Sequence, residues 1–361
     1  MKECLKIKSG KDQKQVECLN GKYKIYGTGG VIGTTNSYLY NKESVGIGRK
    51  GTIDKPFYFD KPFWTVDTQF YSEIHEGYSP KFLYYIFCTE NWSKHDESTG
   101  VPSLSAKNVE NTYKHIPSYS EQQKIADFLS NVDSVITAET KILNTLQKRK
   151  KALMQKLFTQ QLRFKSDDGT DFPAWEESTL EKECDYVDYR GKTPKKVSTG
   201  IFLVTAKNIK LGYIDYECSK EYIAENDYNE VMHRGKVKLG DVLITTEAPC
   251  GNVAQIDNEN VALAQRVIKY SSKGRLNNTF LKYYFLSDLF RTIINEKATG
   301  STVKGIKGSV LHKQKVIVPS LAEQQKLSDC LSSMDSLIQT QQKVVTTWQQ
   351  RKKALLQQMF I

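Results

Sequence analysis

A chain of 361 residues exceeds the roughly 100–200 residues of an average domain, so two globular units with connecting material are expected rather than one core. With 39% apolar and 26% charged residues, and no apolar run near the roughly 20 residues of a helical span, the composition is that of a folded soluble protein and excludes a membrane-embedded one. The net charge of +11 is spread evenly along the chain, which suits a polyanionic partner without pointing to a basic tail.

The opening Met1-Lys2-Glu3-Cys4-Leu5 is too short an apolar stretch for a signal peptide. The seven cysteines, at 4, 18, 88, 184, 218, 250 and 330, include no Cys-x-x-Cys pair. A cytoplasmic protein with reduced thiols and no zinc cage is therefore expected. Residues 1–117 then read as short strands joined by glycine turns: 22–26, a Gly27–Gly33 turn region, 44–48 and 49–53. A helical patch follows at Pro80-Lys81-Phe82-Leu83-Tyr84-Tyr85-Ile86-Phe87, ahead of a Thr99-Gly100 turn.

From Pro117 the pattern changes. Ser118-x-x-Glu121 fits a capping box, no glycine or proline interrupts the run to Phe158, and Ile125, Leu129, Val132, Ile136, Leu143, Leu146, Leu153 and Leu157 alternate at spacings of four and three. This predicts one helix over 118–158. The same segment returns 202 residues later: between 117–158 and 319–360, 22 of 42 aligned positions are identical without a gap. A second helix over 320–361 follows, with the stripe Leu327, Leu331, Met334, Ile338, Val345, Trp348, Leu355 and Met359. Polar interruptions at Glu139, Lys150, Gln341 and Lys352 would weaken the seam while fixing its register. Each helix would be roughly 60 Å long and needs a partner, which the matching stripe of the other copy supplies in an antiparallel coiled coil; the alternative is two amphipathic helices each lying on its own domain.

Between the helices, residues 159–319 repeat the features of 1–117 with a diverged surface. Asn278-Thr279-Phe280-Leu281-Lys282-Tyr283-Tyr284-Phe285-Leu286 answers the first helical patch, Thr299-Gly300 the first turn, and Lys182-Glu183-Cys184 the opening Lys2-Glu3-Cys4. The second unit also has a lead-in, Phe172-Pro173-Ala174-Trp175, that the first lacks, so the first domain reads as short at its amino end. The fold class expected is α+β: two similar globular domains, 1–117 and 159–319, and two long helices.

Catalytic signatures are missing. Gly27-x-Gly29-x-x-x-Gly33 departs from the dinucleotide spacing, Gly191-Lys192-Thr193 lacks the first glycine of a P-loop, and the histidines at 75, 95, 115, 233 and 312 form no His-Glu-x-x-His. A recognition protein is expected rather than an enzyme.

The repeated Pro-Ser-x-x-Glu-Gln-Gln-Lys at 117–124 and 319–326, each running into Arg-Lys-Lys-Ala-Leu at 149–153 and 351–355, resembles the conserved regions of the specificity subunit of type I restriction-modification systems. Tyr26-Gly27-Thr28-Gly29-Gly30, Gly48-Arg49-Lys50-Gly51-Thr52-Ile53, Val204-Thr205-Ala206-Lys207-Asn208-Ile209, Gly240–Pro249 and Gly251-Asn252-Val253 look like target recognition domain motifs. The resemblance implies two target recognition domains that each read half of a split double-stranded DNA sequence, and paired helices that set the gap and bind DNA methyltransferase subunits, two in number. It also implies no cofactor in this chain, with S-adenosylmethionine carried by those partners; whether a restriction (nuclease) subunit joins them is left open. The candidate DNA contacts are polar residues of glycine-bounded turns: Lys11, Arg49 and Lys50 in the first domain, and Arg190, Lys192, Lys195, Lys196, Lys207, Asn208, Gln265 and Arg266 in the second, solvated surface charge being the competing reading for each. The runs Lys148–Lys151 and Arg351–Lys353 suit the carboxyl ends of their helices. A two-headed coiled-coil adaptor for proteins is the competing function.

Overall fold

A computed structural model describes residues 1–189 and 193–360. The chain divides into two compact units, one of Met1–Lys141 with Gln342–Ile361 and one of Ile142–Gln341. Each long helix contributes one part to each unit.

In the first unit, β1 (Leu5–Ser9), β4 (Ser44–Gly48), β5 (Phe57–Phe59) and β7 (Gln69–Ile74) form an antiparallel sheet in the order β1-β7-β4-β5. A second sheet, β3-β2-β6, joins β2 (Tyr23–Gly27) antiparallel to β3 (Gly30–Thr35) and parallel to β6 (Phe63–Thr65). The glycine region expected to turn is the β2–β3 hairpin, and no helix follows it. Residues 49–53, expected as a strand, are instead a turn: Gly51 takes φ +99°, which bends the chain out of the sheet, and Lys50 bridges to Ser103. Helix α1 (Pro80–Thr89) is the first aromatic patch. Ser79 caps it, Pro80 sits in its first turn, and Phe82, Leu83, Tyr85, Ile86 and Phe87 are buried. Short α2 (Ala106–Asn111) precedes α3 (Tyr119–Phe158).

The second unit opens with β8 (Glu176–Thr179), α4 (Leu180–Glu183), β9 (Cys184–Asp188), β10 (Ile201–Val204), β11 (Tyr222–Ile223) and α5 (Tyr228–Val231). It continues with β12 (Val242–Thr246), β13 (Cys250–Gln255), β14 (Val261–Leu263), β15 (Val267–Ser272), α6 (Asn278–Leu286), α7 (Asp288–Lys297), α8 (Gly308–His312), β16 (Lys315–Val318) and α9 (Leu321–Met359). Its sheets run β9-β15-β12-β13 and β11-β10-β14, strand for strand the orders and directions of the first unit. The sequence correspondence between the halves is thus a correspondence of fold. Strand β12 is buried on both faces: Val242 and Ile244 enter the core beside α6, α3 and α9, while Leu243 enters the core beneath the smaller sheet. The second unit adds the β8–β16 ribbon and the helices α4, α5 and α7 to this shared plan.

The two long helices match their expected spans within two residues, and all sixteen stripe residues are buried or half-buried. Inside each unit the helix segments run antiparallel. In the first, Ile125 packs in the core that Phe360 also joins, and Asp133 pairs with Lys352; in the second, Lys150 pairs with Asp335, and Leu157 shares a core with Leu327.

The polar interruptions acquire a role. Lys352 reaches Asp133, lies 5.5 Å from the centroid of the Tyr85 ring, and Tyr85 Oη donates to Asp133 Oδ2 at 2.8 Å. Lys150, Asp335 and Tyr283 repeat this cluster in the second unit, with the ring at 5.3 Å and the hydroxyl bond at 2.7 Å. Each basic run therefore contributes one inward lysine.

The capping serines accept as expected, Ser118 from the Glu121 amide and Ser320 from the Glu323 amide. The residue that ties helix to domain is the glutamine that follows. Gln122 Nε2 donates to the Pro117 carbonyl while its Oε1 accepts from the Ser79 amide, the cap of α1. Gln324 does the same with the Pro319 carbonyl and the Asn277 amide, the cap of α6.

Candidate nucleic-acid interface

Antiparallel pairing places Ser9 opposite Phe70 and Gly48 opposite Gln69, so β1 and β4 leave the first sheet at the end where β7 enters it. The turns grow from that end. The Lys11 amide donates to the Thr65 carbonyl at 2.9 Å, and the Arg49 and Lys50 amides to the Thr68 carbonyl at 2.7 and 3.2 Å. Lys11 and the Arg49-Lys50 pair, far apart in sequence, thus hang from one short stretch, the end of β6 and the turn into β7. Glycine makes this possible: a Cβ on Gly10 would lie 2.0 Å from the Val66 carbonyl oxygen, and one on Gly48 2.0 Å from that of Thr52. All three cationic side chains are exposed.

The second unit repeats the arrangement at the same sheet end with different side chains. The Thr246 amide donates to the Arg266 carbonyl at 2.9 Å; Arg266 sits at φ +69°, and its guanidinium lies 3.2 Å from Glu247. Gln265 Nε2 donates to Thr193 Oγ1, and Lys195 stands exposed beside it in a cleft of about 440 Å³ that Tyr189, His233 and Arg234 also line. Tyr189 is buried and donates to the Gly235 carbonyl, and burial pushes its phenol up, so it stays a donor. His233 and Arg234 have no counterpart in the sequence reading, because residues 224–240 show neither a strand nor a helix period. Arg234 Nη1 donates to the Asp188 carbonyl at 2.8 Å, which fixes it at the cleft wall.

The remaining candidates fall elsewhere. Arg190 and Lys192 lie outside the described residues. Lys196 pairs with Glu221 at 2.6 Å before β10, and Lys207 is exposed after it. Asn208 needs correcting: it is fully buried, its Oδ1 accepts from the amide and hydroxyl of Thr205, and its Nδ2 donates to the carbonyls of Asp215 and Ser219. An amide with all these bonds made staples its loop and presents nothing to a ligand.

The family model for the type I restriction modification DNA specificity domain matches residues 1–148 and 174–347. The chain belongs to this family. Among curated members it is 28% identical over 274 residues to the type I restriction enzyme MjaVIII specificity subunit of Methanocaldococcus jannaschii, covering 72% of this chain and 64% of that one. With the putative MjaX specificity subunit of the same organism it shares 26% over 293 residues, or 77% and 66% of the two chains. The chain therefore spans just under two thirds of the length of these specificity subunits. Among solved structures, the type I restriction-modification S subunit from M. genitalium has the same fold at a TM-score of 0.63 and 15% identity, over 100% of this chain and 94% of that one. A chain from a structure of a type I system described for its complex assembly and conformational transition gives 0.53 at 14%, over 98% and 97%. Among the described residues, no group of three histidine, cysteine or acidic side chains could hold a metal ion, and no helix is long and apolar enough to cross a membrane.

Proposed function

We propose that this chain is the non-catalytic specificity subunit of a type I restriction-modification complex, in which each unit reads one half of a bipartite, asymmetric DNA target. The observation that carries the reading is the repetition of one turn cluster at the same sheet end of two units with different side chains, Lys11, Arg49 and Lys50 against Lys195, Gln265 and Arg266. Lysine and arginine at such turns neutralise phosphates and set the register, while arginine and glutamine read base edges in the major groove. Two units of one fold but unlike surface give two unlike half-sites. Helices of 40 and 39 residues, about 60 Å each, are longer than the roughly 34 Å of one turn of B-DNA, which supports the reading that they set an unread gap between those half-sites. The same helices dock two methyltransferase subunits, which bring S-adenosylmethionine.

The test is to express the chain with the methyltransferase subunit of its own system and map methylated adenines by single-molecule sequencing. A split, asymmetric motif supports the reading; unmethylated DNA from a soluble complex favours the protein adaptor. Removing one heptad from both helices should then shorten the tolerated gap and leave the half-sites unchanged, and an unchanged gap would refute the ruler. Replacing Arg49 and Lys50 by alanine together should weaken DNA binding by the complex about 10- to 100-fold at moderate salt and flatten the logarithmic salt dependence by about 2, as expected for two lost phosphate contacts. A filter-binding series from low to moderate salt measures both, and an unaltered slope would remove these residues from the interface.

A further inference from the structure

The main-chain bonds that hold the turn after β6 and the turn after β14 match the two residue by residue. The Val66 amide donates to the Tyr26 carbonyl at 3.0 Å, and the Ala264 amide to the Val204 carbonyl at 2.9 Å. On the far side of each turn the Thr68 carbonyl accepts from the Arg49 amide and the Arg266 carbonyl from the Thr246 amide. The residue at the tip is therefore Asp67 in the first unit and Gln265 in the second. A carboxylate only accepts hydrogen bonds, whereas an amide both donates and accepts.

Asp67 stands among cations and pairs with none. It lines a cleft of about 640 Å³ together with Arg49 and Lys50. Arg49 Nη1 donates to its main-chain carbonyl at 3.4 Å, but its exposed carboxylate has no ion pair or hydrogen-bond partner among the described residues. The other acid of the cleft, Glu97, accepts from Ser105 Oγ and Asn108 Nδ2. In the second unit the acid beside the turn is engaged too: Glu247, which follows Thr246 as Lys50 follows Arg49, pairs with Arg266. An unengaged carboxylate on a face that binds a polyanion repels phosphates, and it gains only where the DNA presents a donor.

We propose that Asp67 is a specificity-determining residue of the first unit and selects a cytosine in the half-site which that unit reads. The inference rests on the DNA reading above and names the base. In the major groove the donors are the amino groups of cytosine and adenine, while guanine and thymine present acceptors that a carboxylate repels. Adenine carries the acceptor N7 beside its amino group, so the second carboxylate oxygen would face a lone pair; cytosine has a C–H in that place. The Arg49 guanidinium, held at the main chain of the same residue, suits the guanine of that pair or of its neighbour.

The test maps the methylation motif of the full complex, with its methyltransferase subunits, for the wild type, Asp67→Asn and Asp67→Ala, and measures affinity for matched and mismatched duplexes alongside. Asp67 has no side-chain partner to lose, so both variants should fold and assemble. One half-site of the wild type should hold a fixed cytosine. Asp67→Asn should shift that position toward adenine, whose N6 and N7 an asparagine amide pairs. Asp67→Ala should admit other bases there, with discrimination falling about tenfold or more. The other half-site should stay as it is. A motif kept by both variants, or an equal gain of affinity for every duplex once the charge is removed, overturns the proposal, because Asp67 would then be solvated surface charge. Relaxation at an adenine instead would keep Asp67 as a reader and overturn the choice of cytosine. A wild-type complex that methylates no split motif would remove the DNA reading itself, and this inference with it.

Discussion

Glu323→Ala should destabilise the second unit by about 3 kcal/mol, whereas Glu121→Ala, the identical residue 202 positions earlier, should change stability by no more than about 0.5 kcal/mol. The difference lies wholly in surroundings. Removing the Glu323 carboxylate strands the Arg163 guanidinium, only 26% exposed, and leaves the Trp175 indole N–H without its acceptor. A charge and a donor left unpaired out of water cost far more than the net value of the bonds themselves. Glu121 faces solvent and leaves nothing behind. Urea unfolding of the two variants, with hydrogen exchange to assign the loss to a unit, measures the contrast; equal losses would mean that the buried bonds of Glu323 stabilise no more than the exposed Glu121 does.

Asp335→Ala is the second large effect, about 2–3 kcal/mol, because one carboxylate serves both the Lys150 ammonium and the Tyr283 hydroxyl. Combining it with Lys150→Met should restore part of the loss, since the double variant removes the Lys150 charge together with its partner and Ser332 Oγ remains 3.2 Å from the tyrosine hydroxyl, while Lys282 over the same ring still loses the Asp335 charge and keeps the restoration incomplete. A double-mutant cycle measures the coupling, with at least about 1 kcal/mol expected between residues in direct contact. Strict additivity would mean that the lysine is solvated in solution. The same cycle at Asp133 and Lys352 should give a similar figure in the first unit.

The helices were legible because a repeat, a capping serine and an unbroken apolar stripe all point the same way. The convergence of Lys11, Arg49 and Lys50 was half legible: glycines marked the turns, but only strand pairing shows that three turns meet at one sheet end. Other features lay beyond the sequence for identifiable reasons. A loop asparagine has the same letter whether it reads a ligand or staples its own backbone, and Asn208 does the latter. Lys150 and Lys352 were legible as polar positions of the stripes, but their partners were not, because the aspartate comes from the other helix and the tyrosine ring from α6 or α1. Residues 49–53 alternate like a strand, but the conformation of Gly51 turns them away from the sheet.

The division of the chain has a consequence for its manufacture. The second unit is one contiguous stretch, Ile142–Gln341, and can close as soon as it clears the ribosome. The first unit includes Gln342–Ile361, from which the Phe360 ring packs tilted against Phe82 and Lys352 reaches Asp133. Although translated first, it is completed last, and during synthesis its nascent surface must wait some 200 residues for the helix segment that covers it. Truncation before Gln342 would accordingly damage the unit built mostly from residues 1–141 and spare the one in between.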